Sequence, residues 1–112
     1  RSFRAALRRG VPIAMGTDAG TPFNYHGDNA QELERMVALG MTPMDAIMTS
    51  TSAAARLLGL IQDIGSIAAG KQADLLVVEG NPLRNIGVLL KRERIAGVMQ
   101  RGRFVAGPLS RA

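Results

Sequence analysis

The chain has 112 residues, of which 46% are hydrophobic and 21% are charged. This length fits one modest domain or a piece of a larger one, and the composition argues against extensive disorder. The formal net charge is +5, but the basic residues collect near the two ends without interleaved aromatic residues, so no nucleic-acid partner is predicted. The absence of cysteine excludes disulfides and thiolate metal sites. No transmembrane run or signal peptide pattern is present, so we expect a cytoplasmic protein without a membrane partner.

The first third of the chain predicts alternating helix and strand. Residues 2–9 carry an apolar helical face and precede a glycine that is suited to end the helix. The apolar run at residues 11–15 predicts a short buried strand. Residues 17–27 are rich in Gly, Thr, Pro and Asn, which predicts a loop, and Asp28 or Asn29 is expected to cap the next helix. This order is typical of an α/β repeat with a parallel strand.

The middle of the chain predicts two further helices. Thr42 is suited to be an N-cap, with Pro43 at the first helical position and Asp45 in place of the glutamate of a capping box. A run of Thr and Ser then interrupts the apolar stripe, and Thr51 or Ser52 is expected to cap the last helix. We interpret the methionines of these helices as core residues rather than as ligands.

The second half of the chain is predicted to be mostly β. Residues 74–78 form an apolar run that predicts a strand. Residues 95–99 and 103–105 predict a hairpin around a two-residue turn at 101–102. We place a boundary near Gly59 and expect little independent stability beyond it, because a few strands without a complete second layer bury little surface.

One carboxylate, Asp18, follows the predicted strand among small residues. In α/β barrels the reactive groups lie in the loops after the strands, so Asp18 is a candidate metal ligand or general base. The alternative is that Asp18 closes a turn or caps a helix, and residue type and position alone leave both open. His26, the only histidine, is a candidate metal ligand, substrate contact or structural donor. Asp28 is better explained as a helix cap, and a catalytic zinc usually takes three protein ligands, so no complete metal site is predicted within this chain.

Four stretches carry a resemblance to a known family. They are GVPIAMGTDAGTP, HGDNAQELERMVALGMTPMDAIMTSTSAAARLLGL, DIGSIAAGKQADLLVVEGNPL and VMQRGRFV, and together they run from about residue 10 to residue 105. In order and spacing they resemble the C-terminal part of the metal-dependent amidohydrolase superfamily. The branch they resemble contains imidazolonepropionase-like enzymes and Xaa-Pro dipeptidases.

The resemblance implies an α/β fold. Residues 1–58 would form the last βα segment of a TIM-like (β/α)8 barrel, and residues 59–112 part of a small β-sandwich domain. Asp18 matches the acid that ends the eighth strand, contacts metal, and takes a proton from the attacking water before returning it to the leaving amine. His26 matches the histidine of a His-Gly element at the rim of the substrate pocket. The implied cofactor is a divalent metal, with zinc expected as one or two ions completed by residues outside this chain.

The chain also departs from the family pattern. The family's other ligands are a His-x-His pair, a carboxylated Lys or a Glu, and two further His, and a chain with one histidine cannot supply them. We therefore expect the C-terminal segment of a metal-dependent hydrolase of amide or peptide C–N bonds, inactive by itself. The expected partners are the remainder of the barrel or another chain, a small peptide or amide substrate, and further copies in a homo-oligomer. The alternatives are a cyclic amidohydrolase of the imidazolonepropionase type and a non-catalytic structural or interaction fragment.

Overall fold

A helical region followed by a small sheet makes up the computed structural model, which describes residues 1–112. The α-helices are α1 (Ser2–Arg8), α2 (Ala30–Ala38), α3 (Pro43–Thr49) and α4 (Ser52–Leu57). The strands are β1 (Leu75–Val78), β2 (Ile95–Gln100) and β3 (Arg103–Ala106), and three 3₁₀ helices lie at Ile86–Leu90, Arg92–Arg94 and Pro108–Arg111. The longest α-helix has nine residues, and none has the length and apolar character that a membrane crossing requires.

The start of α3 confirms the cap predicted from the sequence. Thr42 has an extended backbone, and its hydroxyl accepts a hydrogen bond from the Asp45 backbone N–H at 3.1 Å. The same hydroxyl donates to the Asp45 carboxylate at 2.7 Å. Pro43 occupies the first helical turn, where its missing N–H has no intrahelical partner to lose.

The side-chain caps predicted for α2 and α4 are wrong, because neither helix has a side-chain cap hydrogen bond. Asn29 directly precedes α2, but its backbone is already helical (φ −68°, ψ −24°), and neither its side chain nor that of Asp28 caps the helix. A capping side chain reaches the first turn from an extended backbone, which Asn29 lacks. Thr51 precedes α4, but its hydroxyl donates backwards to the Ile47 carbonyl at 2.9 Å instead of accepting from α4.

The predicted strand at residues 11–15 is also wrong as an element of this structure. These residues form no regular secondary structure, and the only sheet of the chain is antiparallel. A strand exists only through hydrogen bonds to a neighbour, and no strand lies beside this segment. Two backbone bonds hold it instead, from the Val11 N–H to the Ala6 carbonyl at 3.1 Å and from the Met15 N–H to the Thr49 carbonyl at 2.9 Å. The side chains of Ile13 and Met15 still pack, partly buried, against the helical core.

The core of the helical region is a cluster of five buried side chains: Leu33, Met36, Met41, Ala46 and Ile86. Four of them come from α2, α3 and the turn between these helices. Ile86 comes from the second half of the chain, in a 3₁₀ helix whose preceding residue, Asn85, accepts a hydrogen bond from the Gly87 N–H at 3.0 Å. Residues on both sides of Gly59 therefore share one core, and the proposed domain division there stays a prediction.

The three strands form an antiparallel sheet in the order β1-β2-β3. The hairpin between β2 and β3 turns at Arg101 and Gly102, and both have positive φ, 49° and 79°. Two successive positive φ angles define the type I′ turn that suits a two-residue hairpin, so this prediction is confirmed. The only buried residue of the sheet is Gly97.

Asp74, just before β1, ties this hairpin to the rest of the sheet. Its carboxylate accepts a hydrogen bond from the Arg101 N–H at 2.8 Å and another from the Gln72 side-chain amide. The bond from the Arg101 backbone, helped by the Gln72 amide, lowers the pKa of Asp74 below its ordinary value of 3.8.

Candidate functional site

The loop of residues 17–27 joins the core-packed segment at 11–15 to helix α2. Its first residue, Thr17, is half-buried, and the loop then runs across the surface until α2 begins at Ala30. The backbone bond from Met15 to Thr49 fixes Met15 to the end of α3. The loop begins two residues later, so its start has a fixed position. The loop carries both sequence-predicted site residues, Asp18 and His26.

Asp18 is exposed and has no partner in the chain. None of the side-chain hydrogen bonds involves it. The one ion pair of the chain joins Arg35 and Glu32. Asp18 also caps no helix, since Asn29 is the residue before α2. A carboxylate that makes no structural contact remains available to bind a ligand.

The backbone at Asp18 is strained. Its φ is +51°, and among non-glycine residues only Phe23 (φ 62°) and Arg101 share a positive value. The turn of the hairpin explains Arg101, whereas Asp18 and Phe23 both lie in the loop of residues 17–27. Residues in this conformation cost about 1–3 kcal/mol and cluster at functional sites, so the observation favours a functional loop.

Three hydrogen bonds close the loop on itself, and all involve Asn24. The Asn24 side-chain amide donates to the Thr17 carbonyl. The Gly20 N–H donates to the Asn24 carbonyl at 2.9 Å, and the Asn24 N–H donates to the Thr21 carbonyl at 3.1 Å. The sequence analysis did not single out Asn24. The available signal was its residue type, because asparagine in a loop rich in Gly and Pro commonly bonds to nearby backbone.

The loop brings His26 back against Gly20. A Cβ atom added at Gly20 would lie 3.3 Å from Nε2 of His26, so the imidazole packs directly on the glycine two residues after Asp18. The His26 side chain is otherwise exposed. Gly20 has φ +104°, which glycine adopts without strain. The absence of a side chain at Gly20 therefore lets His26 approach the part of the loop that carries Asp18.

The residues present fit part of a metal site. No group of three or more His, Cys, Asp or Glu residues in the chain is placed to hold a metal ion. Asp18 offers one free carboxylate, a ligand type that zinc and other divalent metals accept, and a catalytic zinc needs about three such protein ligands. The donor chemistry of Asp18 thus suits a single metal ligand, and the chain places no complete ligand set around it.

A large cavity of the chain reaches only the last residue of this loop, Gly27. It is a groove of about 1420 Å³ between the helical region and the sheet. Leu33 and Ile47 line it from the helices, and Leu75, Val77 and Ile95 line it from the strands, whereas neither Asp18 nor His26 contacts it. Its lining is mostly apolar, so we interpret it as a packing surface and assign the chemistry to the loop.

Comparison with known proteins identifies the family. The sequence model of the amidohydrolase family matches residues 1–105, and the chain therefore belongs to the amidohydrolase family. Ochratoxinase from Aspergillus niger is 33% identical over 110 residues, which cover 96% of this chain and 22% of that protein. Imidazolonepropionase from Shouchella clausii is 33% identical over 104 residues, covering 91% of this chain and 23% of that protein.

A similar solved structure supports the same family assignment. The crystal structure of a Xaa-Pro dipeptidase with methionine bound in its active site aligns with a TM-score of 0.87 and 42% identity, covering 95% of this chain and 25% of that chain. The family and its branch, expected from the sequence, are confirmed. The chain spans about a quarter of the length of the proteins it matches. The roles of Asp18 and His26 stay predictions.

Proposed function

We propose that this chain is the C-terminal segment of a metal-dependent hydrolase of amide or peptide C–N bonds. Residues 1–58 would supply the last strand of a barrel and its helices, and residues 59–112 part of a small β-sandwich domain. The observation that carries the proposal is the exposed, unpartnered Asp18 on a strained loop, within a chain that matches the amidohydrolase family over residues 1–105.

The proposed role of Asp18 is to contact the metal and to move a proton. Its carboxylate has no competing bond in the chain, so it is free to accept a proton from the attacking water and to return it to the leaving amine. When bound, a divalent metal such as zinc polarises the scissile carbonyl and lowers the pKa of water to about 7. We place His26 at the rim of the substrate pocket, because its ring packs on Gly20 near Asp18 and remains exposed.

The segment at residues 11–15 supports the proposed partner, the remainder of the barrel. It is apolar but unpaired, with one backbone bond to α3. Parallel barrel strands are paired on both edges and covered on both faces, so this segment would become a strand only beside its neighbours. We propose that it does so in the full-length protein, and that the 112-residue chain alone has no hydrolase activity.

We propose a dipeptidase-like substrate, an Xaa-Pro or similar small peptide. The Xaa-Pro dipeptidase structure is 42% identical to this chain, compared with 33% for the imidazolonepropionase of Shouchella clausii. The second candidate is a cyclic amide, as the name imidazolonepropionase implies for that relative. Steady-state assays of the full-length protein on a dipeptide and on a cyclic amide separate the two candidates.

The test of the role of Asp18 is Asp18→Asn in the full-length protein. The substitution keeps the shape of the side chain and removes the base, so kcat should fall by about 10²–10⁴. Asp28→Asn is the matched control, and the turnover of this variant should equal that of the wild type. Asp28 is an exposed carboxylate directly after the same loop, and its side chain caps no helix. Unchanged turnover in Asp18→Asn would instead support the non-catalytic fragment.

A further inference from the structure

Asn24 bonds to the loop on both sides of Asp18. Its side-chain amide donates to the carbonyl of Thr17, the residue before Asp18. Its own carbonyl accepts from the N–H of Gly20, two residues after Asp18, at 2.9 Å. One residue thus fixes both ends of the short stretch in which Asp18 lies.

The bond to Thr17 acts directly on the backbone of Asp18. The Thr17 carbonyl belongs to the planar peptide unit that joins Thr17 to Asp18, so holding its oxygen holds the plane of that unit. The φ angle of Asp18 is measured against this plane, and its value of +51° is one that side-chain-bearing residues rarely adopt. A chain without this restraint would relax towards negative φ and turn the carboxylate in another direction.

The hydrogen bonds of Asn24 to Thr17 and Gly20, which we call the clasp, hold a loop that contains a second strained residue. Phe23, immediately before Asn24, also has a positive φ of 62°, and its side chain is 92% exposed. Exposure means that packing of the Phe23 ring does not hold this conformation. The hydrogen bonds of Asn24, which is half-buried, are the contacts that hold this part of the loop.

We propose that Asn24 is the positioning residue for Asp18. It acts through the backbone of residues 17–20 and makes no contact with substrate itself. Its catalytic consequence rests on the proposed function, in which Asp18 is the proton-transferring carboxylate. Its structural consequence, a loop held in one conformation, stands independently of that function.

Two variants of the full-length protein test the clasp. Asn24→Asp keeps the shape of the side chain and loses the donor, while Asn24→Ala loses the donor without adding charge. Both should lower kcat on a Met-Pro dipeptide by about 10- to 100-fold, since small misplacements of a catalytic group have effects of that size. KM should change less than kcat, and the thermal midpoint should stay close to that of the wild type. Asn29→Asp is the matched control, because the Asn29 side chain caps nothing, and it should leave kcat unchanged.

A double variant separates positioning from general damage. If Asn24 acts through Asp18, Asn24→Ala should have little further effect on kcat in an Asp18→Asn background, because the group it positions is already disabled. Equal fold losses in the wild-type and Asp18→Asn backgrounds would overturn the proposal. So would a loss that appears only in Asn24→Asp, because that result assigns the effect to the added charge.

Hydrogen–deuterium exchange gives a readout that needs no activity. Peptides covering residues 17–27 should exchange faster in both Asn24 variants, while peptides from α2 and α3 should not change. Unchanged exchange in the loop would overturn the clasp whatever the kinetics show. If Asp18→Asn keeps full turnover and the loop still loosens in the Asn24 variants, the proposed function fails and the structural clasp stands.

Discussion

The helical region and the sheet of this chain bury their apolar side chains to different degrees. Helices α2 and α3, with the turn between them, bury Leu33, Met36, Met41 and Ala46. In the sheet only Gly97 is buried, and on β1 Leu76 is 52% exposed. Apolar residues on both faces of a strand are typical of strands covered on both sides. The helical region therefore supplies most of the one core of the chain, whereas the sheet leaves its apolar side chains at least partly exposed.

The largest test of this contrast is Ile86→Ala, which removes the one core side chain that the second half supplies. Ile86 is 6% exposed, so truncation should cost about 2–5 kcal/mol of unfolding free energy. Urea unfolding of the 112-residue chain, followed by far-UV circular dichroism, measures it. Ile67→Ala is the matched control, since Ile67 is 90% exposed and its loss should cost no more than about 0.5 kcal/mol. Equal losses of unfolding free energy in the two variants would show that Ile86 is not part of the core.

Gly65→Ala tests the contact between α4 and the chain that follows it. A Cβ atom at Gly65 would lie 2.5 Å from the Ala55 Cβ and 3.0 Å from the Thr51 carbonyl oxygen. Gly70→Ala is the control, because Gly70 has a similar φ, +85° against +91°, and open space around it. Gly70→Ala should cost about 1–2 kcal/mol for the left-handed backbone, and Gly65→Ala about 1–3 kcal/mol more for the clash. Equal thermal midpoints for the two variants would show that α4 shifts without cost.

The exposure of β1 is tested by Leu76→Ala in two settings. In the 112-residue chain Leu76 is half-exposed, so the loss should stay below about 1 kcal/mol. In the full-length protein the same substitution should cost more, because a second layer would cover β1. Denaturant unfolding of both proteins gives the difference. Losses of the same size in the two settings would mean that β1 stays uncovered.

The smallest expected effect concerns Asp74 and the hairpin. Its pKa is lowered in the folded chain, so its contribution to stability is present above pH 3.8 and is lost as the pH falls through the lower, folded value. Asp74→Asn should remove that part of the acid dependence of the thermal midpoint. The effect should be small, because the carboxylate is exposed and solvent screens it. An unchanged acid dependence in Asp74→Asn would contradict this role of the carboxylate.

The features predicted correctly from the sequence depend on neighbouring residues. Thr42 and Pro43 start α3 through contacts within one turn, and Arg101 and Gly102 form the hairpin turn through their own backbone angles. Such features are encoded within a few residues, so they hold whatever surrounds them. The location of Asp18 in a loop after an apolar segment is a feature of the same kind.

The features that the sequence did not reveal depend on distant partners. Residues 11–15 have the composition of a strand, but a strand needs a neighbour, and the chain places none there. The burial of Ile86 against α2 joins residues about fifty positions apart, and no local pattern marks it. The clasp made by Asn24 depends on a loop closure that residue types suggest but do not specify.

The burial of Ile86 also limits how this chain can be recombined with its relatives. A chimera joined at Gly59 would take α2 and α3 from one parent and the residue that completes their core from another. The side chain at position 86 from one parent would then have to fit the space left between the helices of the other parent. A junction after Leu90 keeps Ile86 with the methionines it evolved beside, so modular exchange in this family should succeed more often there than at the apparent boundary.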